Sequence, residues 1–232
     1  MKLTKEDIIY INNVVETAQL VGIDSVIIEP NNVRAIDEKK TVVICQSENV
    51  PEFAFGSIGL NRISTYQSRY EIAKTQDGFV IDAVTDDNNE FVKSLTMKGK
   101  GVKIDYRCAN PTTITAPKQI RDVGVSSVDI TGEAVYLFQK GLVAMGSEVV
   151  TIINNDGVSF EFADNNADVF SHQFADDVTV LEGDGGNFAH KYPAKVLSAL
   201  FKHDPTGTMV IGKGGTLTMQ INNLNVTVLP RA

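Results

Sequence analysis

The sequence predicts an α+β protein in which short helices alternate with runs of short antiparallel β-strands. Segments with helical periodicity start near residues 5, 57, 133 and 193, and the chain between them consists of short apolar runs separated by Asn, Asp and Gly turns. The segment RCANPTTITAPKQIRD, residues 107–122, interrupts this order with two prolines and little periodicity. We therefore expect two similar domains, residues 1–108 and 123–232, each with two strand-helix-strands units and joined by a linker of residues 109–122.

Each helical segment has an apolar face, and two of them have a recognisable beginning. Thr4 is expected to cap the first helix, with Asp7 at the capping-box position, and Pro193 suits the first turn of the last helix. The predicted helices span about Lys5–Leu20, Ser57–Tyr70, Gly132–Gly146 and Lys191–His203. The buried face of the third is expected to consist of Val135, Phe138, Leu142 and Met145.

The remaining apolar runs are expected to be strands. Among them are TVVICQ, EFAFG, YEIAKTQ, VKIDYRC and DVFSHQFA, each bounded by polar or turn-forming residues. The helices would then lie on one face of antiparallel sheets.

The charges of this acidic chain are unevenly distributed. Its formal net charge is −8 and its pI is near 4.9, which argues against wholesale binding to nucleic acid. The helical segments nevertheless carry more Lys and Arg than Asp and Glu, and the pairs Arg62 with Arg69 and Lys195 with Lys202 are spaced to share a helical face. A solvated helix surface could explain one such pair. Segregation over all four helices predicts a basic face that contacts phosphates without reading base sequence.

The sequence contains no recognisable catalytic, metal-binding or cofactor-binding constellation. The three histidines lack metal-ligand spacing, and the glycine clusters lack the patterns that cradle phosphate. Asp164, Asn166 and Asp168 are spaced as in a calcium loop, but Val169 stands where the loop needs glycine. We expect a solvated turn there, no metal and no cofactor.

Composition favours a cytoplasmic protein. No apolar run approaches the roughly 18 residues of a membrane span, so no membrane association is expected. The start MKLTKEDIIYINN lacks the apolar core of a signal peptide. Cys45 and Cys108 lie in apolar strand-like runs and predict buried free thiols.

The order of elements resembles that of the DNA polymerase sliding clamps. This family of processivity factors includes proliferating cell nuclear antigen and, closer in length, the clamps of T-even-type bacteriophages. The start MKLTKEDIIYINNVVETA is similar to a clamp's first strand and helix, and IIEPNNVRAIDEKKTVVI is similar to its paired strands, with a V-x-x-x-D turn at Val33–Asp37. FGSIGLNRIS looks like the strand-to-helix entry of the second unit, and VTVLPRA resembles the extended tail.

The resemblance implies the DNA clamp fold and a role in DNA replication. It implies a non-enzymatic homotrimeric ring that encloses duplex DNA, with the helices around the hole and the sheets outside. Its partners would be duplex DNA of any sequence, a replicative DNA polymerase and a clamp loader. The positions that the resemblance turns towards DNA are Lys5, Arg62, Arg69, Lys140, Lys191, Lys195 and Lys202.

The resemblance also implies a peptide pocket and a subunit interface. Clamps bind short tails of partner proteins in an apolar pocket beside the linker, and the matching positions here are Ile36, Val43, Ile114, Pro117, Leu229 and Pro230. Ordinary core and edge packing is the alternative reading for these residues. The ring would close by strand pairing of Val102–Cys108 with Asp168–Phe174 of the next chain, with interface residues Val102, Ile104, Tyr106, Val169, Ser171 and Gln173.

Two other classes of protein remain open from the residues alone. One is a β-rich structural or surface subunit without a DNA role, which would not need cations on its helices. The other is an enzyme with a carboxylate pair among Asp164, Asp168, Asp176 and Asp177, although nothing beside them resembles a base or nucleophile.

Overall fold

A computed structural model describes residues 1–46, 56–117, 120–155, 157–175, 178–182 and 187–231 of the chain. The α-helices are α1 (Lys5–Leu20), α2 (Ile63–Lys74), α3 (Gly132–Met145) and α4 (Ala194–His203). The strands of the first half are β1 (Ser25–Glu29), β2 (Asn32–Ile36), β3 (Val42–Gln46), β4 (Ile58–Asn61), β5 (Val80–Thr85), β6 (Val92–Gly99) and β7 (Val102–Arg107). Those of the second half are β8 (Gly124–Asp129), β9 (Val149–Asn154), β10 (Val158–Ala163), β11 (Val169–Ala175), β12 (Thr179–Val180), β13 (Phe188–Pro193), β14 (Thr208–Gly212), β15 (Leu217–Ile221) and β16 (Leu224–Val228).

The mixture of helices and antiparallel sheet confirms the predicted α+β class. The chain divides into two compact units. Unit 1 comprises Met1–Glu38, Ile44–Lys118 and Asn222–Leu224, and unit 2 comprises Lys39–Val43, Gln119–Ile221 and Asn225–Ala232. None of the helices in the described part of the chain is long and apolar enough to cross a membrane.

In unit 1, α1 packs against α2, and the two helices contact different strands. α2 lies against β6 and β7 of the three-stranded antiparallel sheet β5-β6-β7, whereas α1 contacts β1, which pairs with β2 and β4. α1 buries Ile11, Val14, Val15 and Ala18 completely. Its capping box is the predicted one, because the Thr4 hydroxyl accepts from the Asp7 N–H at 3.1 Å and Asp7 accepts from the Thr4 N–H at 2.7 Å.

In unit 2, both helices cover the same four-stranded sheet. The antiparallel order is β11-β10-β9-β13; α3 lies against β10 and β11, and α4 lies against β9 and β13. Phe138 of α3 is fully buried, with its ring centroid 5.0 Å from those of Phe160, Phe162 and Phe201. This aromatic cluster forms the centre of the core beneath the helices.

The third helix begins and ends as predicted, but its buried face differs. Gly146 ends it in the left-handed conformation, at φ 60°. Ala134, Val135, Phe138 and Gly141 are the buried residues, while Leu142 and Met145 are only half-buried. The face is rotated because the Phe170 ring fills the space beside Gly141, where an added Cβ would lie 2.6 Å from that ring.

The second helix was predicted at Ser57–Tyr70, and both of these bounds were wrong, because the helix spans Ile63–Lys74. Ile58–Asn61 is strand β4, whose residues pair with β1, and the helix starts only after Arg62, which has a left-handed φ of 90°. The run YEIAKTQ continues this helix to Lys74 instead of forming a strand. The apolar periodicity of this run is weak, because the large Ile72 side chain is exposed and the small Ala73 is buried. The predicted strand EFAFG lies almost wholly outside the described residues.

The last helix is shorter than predicted. Phe188–Pro193 forms strand β13, paired with β9, and α4 begins at Ala194 with Pro193 at its N-cap. Lys191 is therefore on a strand, opposite Thr151, and not on a helix as we expected.

Candidate nucleic-acid interface

The clearest basic surface in unit 2 is the outer face of α4. Leu197, Leu200 and Phe201 are buried against the sheet, which leaves Lys195 and Lys202 exposed on the opposite side. Neither lysine forms an ion pair within the part of the chain that the structure describes. Both ammonium groups are free to contact an anion.

A pair of reciprocal hydrogen bonds fixes α3 beside α4. The Gln139 side-chain amide donates to the Ser198 carbonyl at 3.2 Å, and the Ser198 hydroxyl donates to the Gln139 amide oxygen at 2.9 Å. This link between the helices was not predicted from the sequence. The detectable signal was a serine on the otherwise apolar face of α4.

The outer face of α3 is less basic than the charge pattern predicted. Lys140 is exposed, but its Nζ lies 5.3 Å from the centre of the Tyr136 ring, a cation–π distance. Val143, one turn further along, is 81% exposed, and Tyr136 is 60% exposed. This face therefore presents one cation between two large apolar side chains.

The two arginines expected to face DNA, Arg62 and Arg69, both donate hydrogen bonds to the backbone of β7. The Arg62 Nη2 donates to the Arg107 carbonyl at 3.2 Å, and the Arg69 Nη1 donates to the Asp105 carbonyl at 2.9 Å. Both guanidinium groups lie over the Tyr106 ring, at 5.5 and 5.9 Å from its centre. Arg62 is exposed and Arg69 is half-buried. In this arrangement both contact β7.

The remaining predicted cations occupy separate positions. Lys5 is exposed in the first turn of α1 and lines a groove of about 640 Å³ together with Lys2, Ile9, Tyr70 and Phe79. Lys191 is exposed on β13, and its carbonyl accepts from the Arg231 N–H at 2.7 Å. α1 also exposes Glu6 and Glu16, so its surface carries both signs of charge.

No family profile and no curated protein sequence matches this chain. Solved structures do. The chain is similar to A. fulgidus proliferating cell nuclear antigen (PCNA) in the structure described as "C-terminal region of FEN-1 bound to A. fulgidus PCNA", with a TM-score of 0.63, 14% sequence identity and coverage of 100% of this chain and 97% of that chain. It is also similar to the proliferating cellular nuclear antigen of Entamoeba histolytica, with a TM-score of 0.64, 12% identity and coverage of 97% and 96%. The chain has the clamp fold.

In this clamp fold the strands that we expected at a subunit interface are both edge strands. β7 is the last strand of the three-stranded sheet and β11 is the last strand of the four-stranded sheet. On β11 the expected residues Val169, Ser171 and Gln173 are the exposed ones.

On β7 the expected interface residues are the inward-facing set. Tyr106 is completely buried and Val102 and Ile104 are half-buried, while Lys103 and Arg107 alternate with them on the exposed face. The Tyr106 side chain therefore cannot touch a partner, because it packs under α2. Pairing of this clamp-fold strand would use its backbone.

The residues expected around a peptide pocket are mostly half-buried. Ile36, Ile114 and Pro117 belong to unit 1, whereas Leu229 and Pro230 belong to unit 2. The Leu229 N–H donates to the Thr41 carbonyl at 2.7 Å. Val43 is only 3% exposed, which agrees with the alternative reading of ordinary core packing.

Outside these surfaces, Asp164 stabilises a turn and Cys108 is a buried thiol. No group of three or more His, Cys, Asp or Glu within the described ranges could hold a metal ion. The Asp164 carboxylate accepts from the N–H groups of Asn166 and Asp168 at 2.8 and 2.9 Å, which is a closed turn between β10 and β11. Asp176 and Asp177 lie outside the described residues. Burial raises the pKa of the Cys108 thiol to about 12, so this thiol stays protonated and unreactive at neutral pH.

Proposed function

We propose that this chain is a sliding clamp that encircles duplex DNA and holds a replicative DNA polymerase on it. The observation that carries the proposal is the clamp fold over the whole chain, since the likeness to PCNA structures covers 97–100% of it. Such a clamp acts without catalysis, as a mobile tether. Its chemistry is phosphate contact through long cationic side chains, which depends little on base sequence.

Three copies of the chain would form the ring. Closure would pair the edge strand β7 of one copy with the edge strand β11 of the next, through main-chain hydrogen bonds. The chain is acidic, with a formal net charge of −8. This charge supports a surface on which few cations lie near DNA and the remaining residues repel it.

The DNA-facing groups that the geometry favours most are Lys195 and Lys202 of α4. Lys5, Lys140 and Lys191 are further exposed candidates, whereas Arg62 and Arg69 would first have to leave β7. A clamp loader would open the ring and place it on DNA. Residues 109–122 would serve as the linker between the two domains.

Partner proteins would dock through short peptide tails. The A. fulgidus PCNA structure carries the C-terminal region of FEN-1, and we propose that this chain binds comparable tails beside the linker. Ile36, Ile114, Pro117, Leu229 and Pro230 would supply apolar contacts there. The buried Val43 would support this surface from within the core.

Topological retention on DNA tests the proposal. The purified protein is chemically cross-linked while mixed with nicked circular duplex DNA, and the complexes are washed in high salt, which removes simple electrostatic binding. A ring stays on circular DNA and is released when a restriction enzyme linearises the DNA. Equal release from circular and linear DNA, together with a monomer by light scattering, would exclude the ring and favour a structural subunit.

A further inference from the structure

Two carbonyls on the outer edge of β7 accept hydrogen bonds from side chains of the same chain. The Cys108 N–H donates to the Lys93 carbonyl at 2.9 Å. With the register of the two strands, this hydrogen bond shows which residues of β7 bond to β6. Because antiparallel ladders alternate, the even-numbered residues of β7 bond to β6, and the carbonyls of Asp105 and Arg107 point away from it. These two carbonyls are the ones that accept from Arg69 and Arg62.

The two arginines are held in place by a compact set of contacts. Tyr106 lies between the two carbonyl positions and presents its ring to both guanidinium groups. The Asn61 carbonyl accepts from the Tyr106 hydroxyl and from the Arg62 Nε, each at 3.1 Å. Arg62 adopts a left-handed φ of 90°, a conformation that non-glycine residues keep only where their surroundings impose it.

We propose that Arg62 and Arg69 form an arginine clip that closes the β7 edge in the free protomer and must leave the strand before a second copy pairs with it. The proposal rests on the proposed function, because it takes β7 as a subunit edge. An incoming strand requires the Asp105 and Arg107 carbonyls as acceptors, and it must occupy the space beside them that the guanidinium groups fill. Native sheets protect their edges in comparable ways against unwanted pairing.

Release of the clip has a second consequence. The two guanidinium groups that leave β7 become free cations on the α2 side of unit 1. Assembly of the ring and exposure of these cations are therefore coupled, so a protomer gains phosphate-binding capacity as its edge is paired.

The test measures assembly without DNA. Sedimentation velocity over a wide protein concentration range compares wild type with the double variant Arg62→Gly, Arg69→Ala; glycine suits the φ of 90° at position 62. The single variant Arg69→Ala removes one half of the clip and still tests it if the double variant does not fold. Lys74→Ala is the matched control, because Lys74 is on α2 but pairs with Glu71 and not with β7.

The clip predicts that the double variant assembles at a protein concentration about tenfold lower than wild type, with a smaller shift for Arg69→Ala and none for Lys74→Ala. The charge change alone would act in the opposite direction, because it removes two cations from each chain of net charge −8. Assembly of the double variant from a wild type that stays monomeric also supports the clip.

Two results overturn the clip, and they are distinguishable. If wild type assembles and the folded variants assemble equally well or less well, the clip is wrong while the ring proposal stands. If neither wild type nor any variant assembles at high concentration, the ring and the clip are both wrong. Circular dichroism of each variant confirms that the comparison is between folded proteins.

Discussion

The Asp122 carboxylate holds the turn between β14 and β15. It accepts from the Gly214 N–H at 2.8 Å, the Thr216 N–H at 3.2 Å and the Thr216 hydroxyl at 2.7 Å. Partial burial of the carboxyl raises its pKa, but these hydrogen bonds together outweigh burial and keep the pKa of Asp122 below its ordinary value. The charged form is therefore the one that stabilises the folded turn.

We expect Asp122→Asn to lower the free energy of unfolding at pH 7 by about 1–2 kcal/mol, as for other charge-assisted hydrogen bonds. A group whose pKa is depressed on folding contributes stability above its unfolded pKa, about 3.9, and loses it as pH falls through the folded pKa. The difference between wild type and variant should thus shrink below about pH 4. Urea unfolding midpoints at a series of pH values measure it, and a pH-independent difference would contradict the assignment.

Phe138 lies at the centre of the aromatic core of unit 2. Three aromatic rings lie 5.0 Å from its ring, and its side chain is fully buried. Phe138→Ala should lower the free energy of unfolding by about 3–5 kcal/mol, because it leaves a cavity that the neighbouring rings cannot fill. Urea unfolding followed by circular dichroism measures the decrease.

The control for this prediction lies on the same helix. Tyr136 is 60% exposed, and Tyr136→Ala should change the free energy of unfolding by no more than about 0.5 kcal/mol. Equal decreases for the two variants would mean that loss of any aromatic side chain from α3, and not loss of the buried cluster, determines the effect.

At the scale of elements, α1 shows how far local signals reach. Its bounds and its capping box were predicted from Thr4, Asp7 and a regular apolar stripe, and all three are present in the structure. α2 had no such signals. A left-handed Arg62 separates it from β4, and its sequence ISTYQSRYEIAK has little apolar periodicity, so the boundary could not be read from the chain.

The cap of α1 gives a prediction at this scale. Thr4→Ala removes the acceptor for the Asp7 N–H and should lower the free energy of unfolding by about 0.5–2 kcal/mol. Thr4→Ser keeps the hydroxyl and should retain most of the stability. A similar decrease in both variants, measured by thermal and urea unfolding, would show that the methyl group and not the cap is responsible.

At the scale of the whole molecule, sparse exposed cations on an acidic chain should make DNA binding weak, with a salt dependence set by the small number of phosphates contacted. The α4 lysines are the sharpest test of this, because they are exposed and form no ion pair within the described ranges. Their apolar counterparts hold the helix in place, so their substitution should leave the fold intact.

We expect Lys195→Glu with Lys202→Glu to weaken binding to duplex DNA and to reduce the slope of log K against log salt concentration by about two for each chain that contacts DNA, one for each phosphate that is no longer neutralised. Fluorescence anisotropy at several salt concentrations measures both quantities. The double variant Lys39→Glu, Lys213→Glu changes the net charge of the same unit equally, at exposed turn positions away from α4. If it reduces affinity and slope as much, total charge and not the α4 face governs binding.

The sequence by itself determined the α+β class, the bounds of α1 and α3 and the course of most strands. These features depend on side chains within a few residues of one another, through caps, turns and apolar periodicity. It also singled out Lys195 and Lys202, because a helix places residues seven apart on one face.

Only the tertiary structure decided what Arg62 and Arg69 do. Both were expected to be free cations, yet the carbonyls that they bind lie 45 and 36 positions further along the chain. Lys191 was expected on a helix but lies on a strand, because β9 pairs with it. The buried face of α3 differs from the predicted one because Phe170 packs beside Gly141. In each case the deciding partner is distant in sequence, so no local pattern could reveal it.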